Sequence, residues 1–562
     1  MSSTGNNSRG LRRLLWPHLR PQLPAFLAAL LLAMVIAALS AAQPLLTRMV
    51  IDQGLIAHRF GQLLLACAGM LALALLGFLA GGIHRAIYVR ASGRALFSLR
   101  GRVYRHLLGV SPRRLEAVPV GDLVSRLDGD IAEVQRFGTD AAASFIGNVL
   151  SLTAIGAVML RLSWRLALLV AALMPLQLLV RHYARPRIEA TTRALRVAAS
   201  RMSGFLVETL AGARHVQSAA AERYETARLQ ALGDSYLDDV LRQQWAAYAT
   251  GSLSGLLGHV STAATFVLGG WYALHGELSV GTLVAFAAYL GRSSGSAASI
   301  AALYSGYARA RVSLGRVEEL LELPQVPESA QAVPLAADAR GALKLEGVSV
   351  LAAGRLVLDA VTVDIPAGSK VVLQGVSGAG KSTLADCLRR FVDPDSGRIL
   401  LDGRPLGDYC LADLRRRIVV VEHSPVLFRG TLLENLRYGC DQADEAQVLE
   451  AARNAGADAF IRELPHGYAT PVGEGGAGLS TGQRQRIAIA RALLAQPLVV
   501  VLDEATSGLD LDAIRALHRS LDEVFAERTR LVITHRVLDL QQSDLSWQLD
   551  AGRIRPAARI DV

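Results

Sequence analysis

The segment KVVLQGVSGAGKST, residues 370–383, joins an apolar run to a glycine-rich loop that ends in a lysine. The run VVLQ predicts a buried strand, and the residues that follow Lys381 predict a helix. Glycines let backbone N–H groups turn toward an anion, and the helix start offers that anion its positive end. Lys381 is one of three lysines in a chain with 59 lysines and arginines. A compact ammonium reaches phosphate oxygens that a planar guanidinium does not fit.

The spacing G-x-x-x-x-G-K-[ST] in a strand–loop–helix context predicts a P-loop that binds a nucleoside triphosphate. The hydroxyl directly after the lysine is suited to a Mg²⁺ ion bound with the nucleotide, and Ser382 has that position. The sequence therefore predicts a phosphate-binding loop made of Gly375, Ser377, Gly378, Ala379, Gly380, Lys381, Ser382 and Thr383.

A second apolar run, QPLVVVLDEATSGLD at 496–510, includes two adjacent acids. Asp503 is placed to hold Mg²⁺, directly or through water, and Glu504 to orient an attacking water. His535 ends another apolar run, VITHR, and is a candidate for contact with the γ-phosphate. Four β-branched runs, which start near positions 371, 417, 498 and 530, alternate with helical stretches. This alternation predicts a mostly parallel sheet in an α/β ATPase domain.

The first 308 residues differ in composition from this domain. The chain is 51% hydrophobic and only 19% charged, and its mean hydropathy is +0.31, which argues against an ordinary soluble enzyme. Since about 20 apolar residues cross a bilayer, six apolar runs predict six transmembrane helices at 21–47, 60–83, 141–160, 166–180, 243–276 and 278–308. The fourth run is short and needs its flanking arginines to reach the membrane interface.

Arginine placement predicts how these helices are oriented. Segments 1–20, 84–140 and 181–242 contain four, ten and ten arginines, whereas the intervening loops have two or none. By the positive-inside rule, the arginine-rich segments face the cytoplasm. The net charge of +10 is therefore largely explained by topology, and we expect no nucleic-acid partner. The two long cytoplasmic segments carry helical patterns, so we expect the membrane helices to continue into the cytoplasm.

The predicted fold is a multidomain membrane protein with an all-α six-helix transmembrane domain, long cytoplasmic helix extensions and an α/β P-loop NTPase domain. We expect a multi-pass protein of the bacterial cytoplasmic (inner) membrane, with the ATPase domain in the cytoplasm. The predicted divisions are a cytoplasmic N-terminal segment 1–20, the transmembrane domain 21–308, a linker 309–342 and a nucleotide-binding domain 343–562.

The order of the motifs resembles the nucleotide-binding domain of an ABC transporter. LSTGQ (479–483) is similar to the LSGGQ signature of that family, and SGLD (507–510) matches its D-loop. QPLLTRMVIDQGL, VPVGDLVSRLDGDIAEV and GELSVGTLVAFAAYL resemble the membrane half of an ABC exporter. The resemblance covers about residues 20–555 and implies a half-transporter. It adds further ATP-binding residues to the predicted site: His423, Ser480, Thr481, Gly482, Gln483 and Asp510.

The resemblance also implies a working arrangement of two chains. Each ATP then lies between the P-loop of one chain and the signature of the other, so ATP closes the dimer and hydrolysis reopens it. Because Lys381, Asp503, Glu504 and His535 are all present, we favour a homodimer over pairing with a related half-transporter.

Three positions depart from the family pattern. His423 occupies the place of the Q-loop glutamine that helps bind Mg²⁺ and water, and a neutral imidazole can still be a ligand. Ala352 stands where an aromatic usually stacks on adenine, with Arg355 as a candidate substitute. Thr481 replaces a glycine of the signature, which is a small change.

The sequence predicts ATP-driven export or flipping of an amphipathic substrate (a lipid, peptide or drug), with ATP and Mg²⁺ as cofactors and the membrane lipid as surroundings. Arg292 lies inside the sixth apolar run, where a charge is costly, and is a candidate for binding an anionic group of the substrate. A structural pairing or a place near the membrane face stays open for Arg292. His259 is a weaker candidate. The alternative function is an ATP-gated channel or a regulatory subunit of a heterodimer with little intrinsic turnover.

Overall fold

The computed structural model of the chain describes residues 14–352, 354–376, 378–504, 511–534 and 543–556. The chain forms two compact units. One contains the residues up to Tyr104 together with Gly121–Leu320, and the other contains Arg105–Val120 together with the residues from Leu321 onward. The predicted domain limits stay predictions, but the first cytoplasmic excursion contributes a segment to the C-terminal unit.

The N-terminal half of the chain is helical. Short π-helical turns interrupt the helices at Val50–Ile56, Arg126–Asp130 and Phe137–Ala141. The helices are α1 (Leu23–Met49), α2 (Phe60–Leu108), α3 (Pro112–Glu116), α4 (Val120–Ser125), α5 (Ile131–Arg136), α6 (Ala142–Leu162), α7 (Trp164–Ala211), α8 (Ala213–Ser218), α9 (Glu222–Leu274) and α10 (Val280–Glu322).

Several of these helices are much longer than a bilayer requires. α2, α7 and α9 have 49, 48 and 53 residues, against the about 20 that cross the hydrocarbon core. The predicted continuation beyond the membrane-spanning length is confirmed by these lengths. Helical stretches of the described chain that are long and apolar enough to cross a membrane are Leu14–Ile56, Phe60–Leu108, Val120–Leu162 and Glu222–Leu274.

The other two predicted spans lie in α7 and α10. α7 begins with a shorter apolar stretch, Trp164–Leu173, and α10 is helical over 43 residues. Among the described residues, neither helix meets the same criterion of length and hydropathy. The helical conformation of all six runs is confirmed, and the number of six crossings stays a prediction.

Asp52 joins the end of α1 to the start of α10. Its carboxylate accepts hydrogen bonds from Ser279 Oγ at 2.6 Å and from the Gly281 N–H at 2.8 Å. It therefore satisfies donors that a helix start leaves unpaired. A Cβ atom on Gly281 would lie 2.7 Å from the backbone oxygen of Arg48 and from the Asp52 carboxylate, so only glycine fits. Two of the exporter-like motifs thus meet in space.

The third exporter-like motif, VPVGDLVSRLDGDIAEV, is fastened to the end of α10 by a network of ion pairs. Arg316 contacts Asp122 at 2.5 Å and Asp130 at 3.0 Å. Arg126 contacts Asp122 at 2.8 Å and Glu319 at 2.7 Å. Isolated surface pairs contribute little, but a network that shares its members fixes the register of the two segments.

The C-terminal unit contains the sheet that the sequence predicts. Its main sheet has the order β12-β11-β3-β10-β9-β6, in which neighbours pair in parallel except β11 with β12. The four predicted strands are confirmed as β3, β6, β9 and β10. The strands are β1 (Leu343–Ala352), β2 (Arg355–Ile365), β3 (Lys370–Gln374), β4 (Ser396–Leu401), β5 (Arg404–Pro405), β6 (Ile418–Val421), β7 (Gly430–Thr431), β8 (Pro471–Val472), β9 (Val499–Asp503), β10 (Thr529–Ile533), β11 (Leu545–Asp550) and β12 (Arg553–Pro556).

An antiparallel sheet of order β2-β1-β4-β5 and the small pair β7-β8 complete the strands. Buried aliphatic side chains of β3 and β9 form the core between the sheets and the helices. The helices of this unit after α10 are α11 (Lys381–Leu388), α12 (Leu411–Arg417), α13 (Leu432–Arg437), α14 (Glu445–Asn454), α15 (Asp458–Glu463), α16 (Thr481–Leu494) and α17 (Leu511–Val524).

Candidate nucleotide-binding site

The loop between β3 and α11 has a backbone that only glycine allows. Gly378 and Gly380 have φ angles of 78° and 109°, which side-chain-bearing residues rarely adopt. A Cβ atom on Gly375 would lie 2.4 Å from the carbonyl oxygen of Leu549, and one on Gly380 would lie 2.8 Å from that of Val357. The predicted P-loop is therefore a tight turn between a buried strand and a helix start, which is the geometry that receives phosphates.

Lys381 is the first residue of α11, and its side chain folds back over the loop. The ammonium donates hydrogen bonds to the carbonyl oxygens of Gly375 at 2.6 Å and Val376 at 3.0 Å. The residue is only 6% exposed. These acceptors hold the ammonium over the loop, where it can contact an incoming phosphate.

The other two lysines have structural surroundings. The buried Lys370 ammonium pairs with Asp522 at 3.1 Å, and the exposed Lys344 pairs with Glu346 at 2.9 Å. Of the three lysines, Lys381 is the one placed in the phosphate loop.

The acid pair lies at the carboxyl end of β9, beside the P-loop. Ser382 Oγ donates a hydrogen bond to Asp503 Oδ2 at 3.0 Å. Burial raises the pKa of Asp503 above its usual value, and the neighbouring Glu504 carboxylate adds to the rise, whereas the bond from Ser382 and the charge of Lys381 oppose it. A bound cation would favour the ionised carboxylate, so this pair of oxygens is suited to hold one.

Glu504 is held in an uncommon backbone conformation. Its φ angle is 48°, and its N–H donates to the carbonyl oxygen of Ile533 at 3.0 Å. Left-handed backbone at a residue other than glycine stores strain, which is frequent at functional sites. The turn directs the Glu504 side chain, about one third exposed, toward the His423 ring, with 3.9 Å between Oε2 and Nδ1.

These contacts bring three separate sequence motifs to one edge of the sheet. β3, β10, β9 and β6 are parallel and adjacent in this order, so the loops that follow them lie along the same edge. Ser382, Asp503, Glu504 and His423 therefore lie together, as the motifs predict. Thr383 follows in α11 and is half-buried, and Ala379 is buried in the loop. Three predicted site residues lie outside the described residues: Ser377, Asp510 and His535.

The signature segment forms the start of α16. Ser480 is the N-cap, and its Oγ accepts from the Gln483 N–H at 3.2 Å while Gln483 Oε1 accepts from the Ser480 N–H at 2.8 Å. Thr481 is exposed and accepts a hydrogen bond from Arg484 at 3.2 Å, whereas Gly482 is buried. In the described part of the chain, the hydrogen bonds of positions 480–483 stay within α16 and its first turn.

Two contacts near the site were not predicted. The buried Gln485 donates to the carbonyl oxygen of His423 at 3.4 Å, and Arg389 contacts Glu422 at 3.2 Å. Gln485 lies on the apolar side of the amphipathic α16. A polar residue at such a position is a sequence feature that could have predicted a buried hydrogen bond. Arg389 has no comparable signal, because its partner is distant in sequence.

The segment that contains α3 lies against this region of the C-terminal unit. Arg113 and Glu116 face Asp386 and Glu422 across a cavity of about 280 Å³. Burial raises the pKa of Asp386, and the Arg389 guanidinium opposes that rise. Residues of the first cytoplasmic excursion are thus within reach of Glu422, the direct neighbour of His423.

The position predicted for adenine lies in the hairpin of β1 and β2. Ala352 pairs with Arg355 across this hairpin, and the carbonyl oxygen of Val357 approaches Gly380 of the P-loop. The hairpin therefore borders the phosphate loop. No aromatic side chain stands at position 352, and stacking by Arg355 stays a prediction.

The two substrate candidates differ in their surroundings. Arg292 donates to the carbonyl oxygen of Ser40, to Ser40 Oγ at 2.9 Å and to Gln43 Oε1 at 2.8 Å. Every hydrogen bond recorded for it in the described chain ends on a neutral acceptor. His259 is exposed on α9, and no hydrogen bond between it and Arg292 is recorded among the described residues. Neither Ser40 nor Gln43 was predicted as a partner of Arg292, although Gln43 is the first residue of the exporter-like motif QPLLTRMVIDQGL.

Comparison with known proteins extends these observations. The family described as ABC transporter transmembrane region matches residues 26–296, and the ABC transporter family matches residues 358–507. An ATP-dependent lipid A-core flippase of Chromohalobacter salexigens is 31% identical over 551 residues, which are 97% of this chain and 94% of that protein. The ABC-type oligopeptide transporter ABCB9 of Mus musculus is 32% identical over 538 residues, 94% of this chain and 70% of that protein.

A solved structure is also similar. A bacterial Atm1-family ABC exporter with ATP bound matches with a TM-score of 0.78 and 25% sequence identity, and the match covers 95% of this chain and 94% of that one. The similarity therefore includes both units of the chain and not the nucleotide site alone.

Proposed function

Since this chain belongs to the ABC transporter family, as an exporter-type half-transporter with ATPase activity coupled to transport, we propose that two copies of it export or flip an amphipathic substrate across the bacterial cytoplasmic membrane. The observation that carries this proposal is the convergence of Lys381, Ser382, Asp503 and Glu504 in one chain, which supports a catalytic role for this chain itself.

Mg²⁺ fits the oxygens at this site. Ser382 Oγ and Asp503 Oδ2 are 3.0 Å apart, close to the about 2.9 Å between neighbouring ligands of an octahedron with bonds of about 2.0–2.1 Å. His423 is the third proposed ligand through a neutral ring nitrogen. The ion would neutralise charge on the transferring phosphoryl group, while Lys381 binds the phosphates and Glu504 orients the attacking water.

The signature supports the pairing of two copies. Ser480 and Thr481 are exposed at the start of a 14-residue helix, whose N-terminus favours negative charge. In the proposed dimer this helix start faces the γ-phosphate bound to the other copy. The relatives named for a lipid A-core and for oligopeptides support an amphipathic cargo without choosing between its classes.

Arg292 supports an acidic group on that cargo. A charge in a membrane helix is costly and by default indicates a functional site, and the partners of Arg292, Ser40 and Gln43, provide hydrogen bonds but no charge. We therefore assign Arg292 to an anionic group of the substrate, with His259 as a second candidate.

The test is ATP hydrolysis by the chain alone in lipid discs, beside Glu504→Gln and the surface control Glu523→Gln. Turnover in wild type and in the control, lost in Glu504→Gln, supports a self-sufficient homodimer. Turnover that appears only after a related half-transporter is added favours the regulatory-subunit alternative, which the substitutions at His423 and Ala352 would suit. Turnover that survives in Glu504→Gln contradicts the proposed catalytic role.

A further inference from the structure

A cavity of about 540 Å³ lies in the membrane unit between segment 14–22, α1, α2 and the start of α6. Its volume is within the about 300–1,000 Å³ of sites that hold small molecules. One part of its wall is apolar and is formed mainly by Leu19, Leu23, Phe26, Leu27, Leu30 and Ile146. The other part is polar and is formed by His84, Arg85, Tyr88, Thr139 and Asp140.

The polar part lies at the level of the cytoplasmic headgroups. Arg85 is 25 residues after Phe60, the start of α2, or about 38 Å along a helix at 1.5 Å per residue. This exceeds the about 30 Å of bilayer hydrocarbon. His84 Nδ1 lies 2.9 Å from the carbonyl oxygen of Ala29, and the Tyr88 ring packs edge-on against Phe26, so the polar part is level with residues 26–29 of α1. Leu30 and Ala33 continue the cavity wall from there along α1 toward the membrane interior.

The polar part carries two opposite charges. The Asp140 carboxylate accepts hydrogen bonds from the Tyr88 hydroxyl and from Thr139 Oγ1, both at Oδ1. In the described chain, no hydrogen bond is recorded at Oδ2. The exposed Arg85 guanidinium interacts with Asp140 through its charge, and no ion pair within 4.0 Å is recorded for it among the described residues. A dipolar ligand is therefore complementary to this part of the cavity.

We propose that this cavity binds one phospholipid of the cytoplasmic leaflet whose headgroup carries a primary ammonium. Its phosphate contacts Arg85, its ammonium donates to Asp140 Oδ2, and one acyl chain lies along α1. Guanidinium and phosphate form strong charge-assisted hydrogen bonds. A trimethylammonium headgroup lacks the N–H donors for Asp140, and a purely anionic headgroup brings like charge to this carboxylate. Trp16, half-exposed at the same level, is a suitable interfacial anchor.

The test uses the full chain in discs made of equal parts phosphatidylethanolamine, phosphatidylcholine and phosphatidylglycerol. Lipids that stay bound after release are counted by native mass spectrometry. We expect phosphatidylethanolamine to be retained about tenfold over phosphatidylcholine, as the loss of one charged hydrogen bond implies. Arg85→Gln is expected to lower retention of all three lipids about tenfold, and Asp140→Asn to remove the preference for the primary ammonium.

The control is Arg90→Gln, an exposed arginine on the same helix outside the cavity, which is expected to retain lipid like wild type. Equal retention of the three lipids by wild type, or equal loss in the variants at positions 85 and 90, overturns the proposal.

A second measurement tests the proposal even if Asp140→Asn does not fold. Phosphatidylethanolamine with a photoactivatable acyl chain is cross-linked to wild type, and the modified peptides are sequenced. Cross-links concentrated in 23–33 and 143–146 support the site. Cross-links spread over all lipid-facing helices, or none in these segments because a second copy covers the cavity, contradict it.

Discussion

Lys381 and Arg292 are two cations in similar local situations. Each donates hydrogen bonds to neutral oxygens of the chain, Lys381 to two loop carbonyls and Arg292 to Ser40 and Gln43. They differ in what surrounds them. Lys381 lies in a glycine loop beside a carboxylate pair, a geometry that fits a nucleotide with its metal ion. Arg292 lies in α10 beside Ser40 and Gln43, whose neutral oxygens leave the class of its proposed anionic ligand open. A charge identifies a ligand only when the surrounding backbone is equally specific.

The largest expected effect is at Lys381. Lys381→Met removes the cation that binds the phosphates, so ATP hydrolysis should fall about 100-fold or more, as for the loss of a preorganised electrostatic contact. The control Lys344→Met removes an exposed lysine and should hydrolyse ATP like wild type. Steady-state phosphate release in lipid discs measures both. If the two variants had comparable activity, Lys381 would be no more important for ATP hydrolysis than an ordinary exposed lysine.

Arg292→Gln tests the second cation of this comparison. The apparent affinity for an anionic amphiphile should fall about tenfold, because hydrogen bonds to charged groups contribute about 1.5–3 kcal/mol. Dodecyl phosphate and dodecyl trimethylammonium are suitable probes, with stimulation of ATP hydrolysis as the readout. Arg161→Gln, at an exposed arginine of α6, is the control. The assignment is wrong if Arg292→Gln responds to both amphiphiles as wild type does.

The next prediction tests whether the nucleotide-binding site recognises the base as specifically as its loop recognises phosphate. With Ala352 in place of an aromatic residue, rates with ATP and GTP should agree within about threefold, because a stacking contact worth roughly 1–3 kcal/mol is missing. Ala352→Tyr should lower the KM for ATP roughly fivefold. Leu351→Tyr, on the opposite face of β1, should leave KM unchanged. A strong preference of wild type for ATP would show that another group recognises adenine.

The smallest expected effect is at His423. Its ring nitrogen Nδ1 lies 3.9 Å from Oε2 of Glu504, the carboxylate that we propose orients water. His423→Gln, which restores the family's usual residue, should therefore change turnover by only about two- to threefold, the scale of an exposed ion pair. His466→Gln, at an exposed histidine of the same unit, is the control and should hydrolyse ATP like wild type. A loss of turnover in His423→Gln as large as that in Lys381→Met would contradict this minor role.

Much of the nucleotide site was predictable because its residues are fixed by local sequence. The P-loop, the acid pair and the signature each occupy a few consecutive positions, and each forms the expected strand end or helix start. The converging edge of the sheet was also predictable, since parallel strands end on the same side. The contacts of Gln485 and Arg389 were not, because both partners lie tens of residues away.

In the membrane unit, less of the structure could be predicted from the sequence. Apolar runs and arginine counts indicate the helices and their orientation, but they do not indicate which polar residues meet. The pairing of Asp52 with the start of α10, and of Arg292 with Ser40 and Gln43, joins positions more than 200 residues apart.

The sequence by itself determined the fold class, the phosphate loop and the acid pair at the end of β9, because backbone geometry at glycines and strand ends depends on neighbouring residues. The tertiary structure decided which charges are neighbours: Glu504 with His423, Arg292 with α1, and Arg85 with Asp140 in one cavity. Side-chain contacts between distant helices depend on helix rotation and crossing, which a hydropathy pattern does not specify.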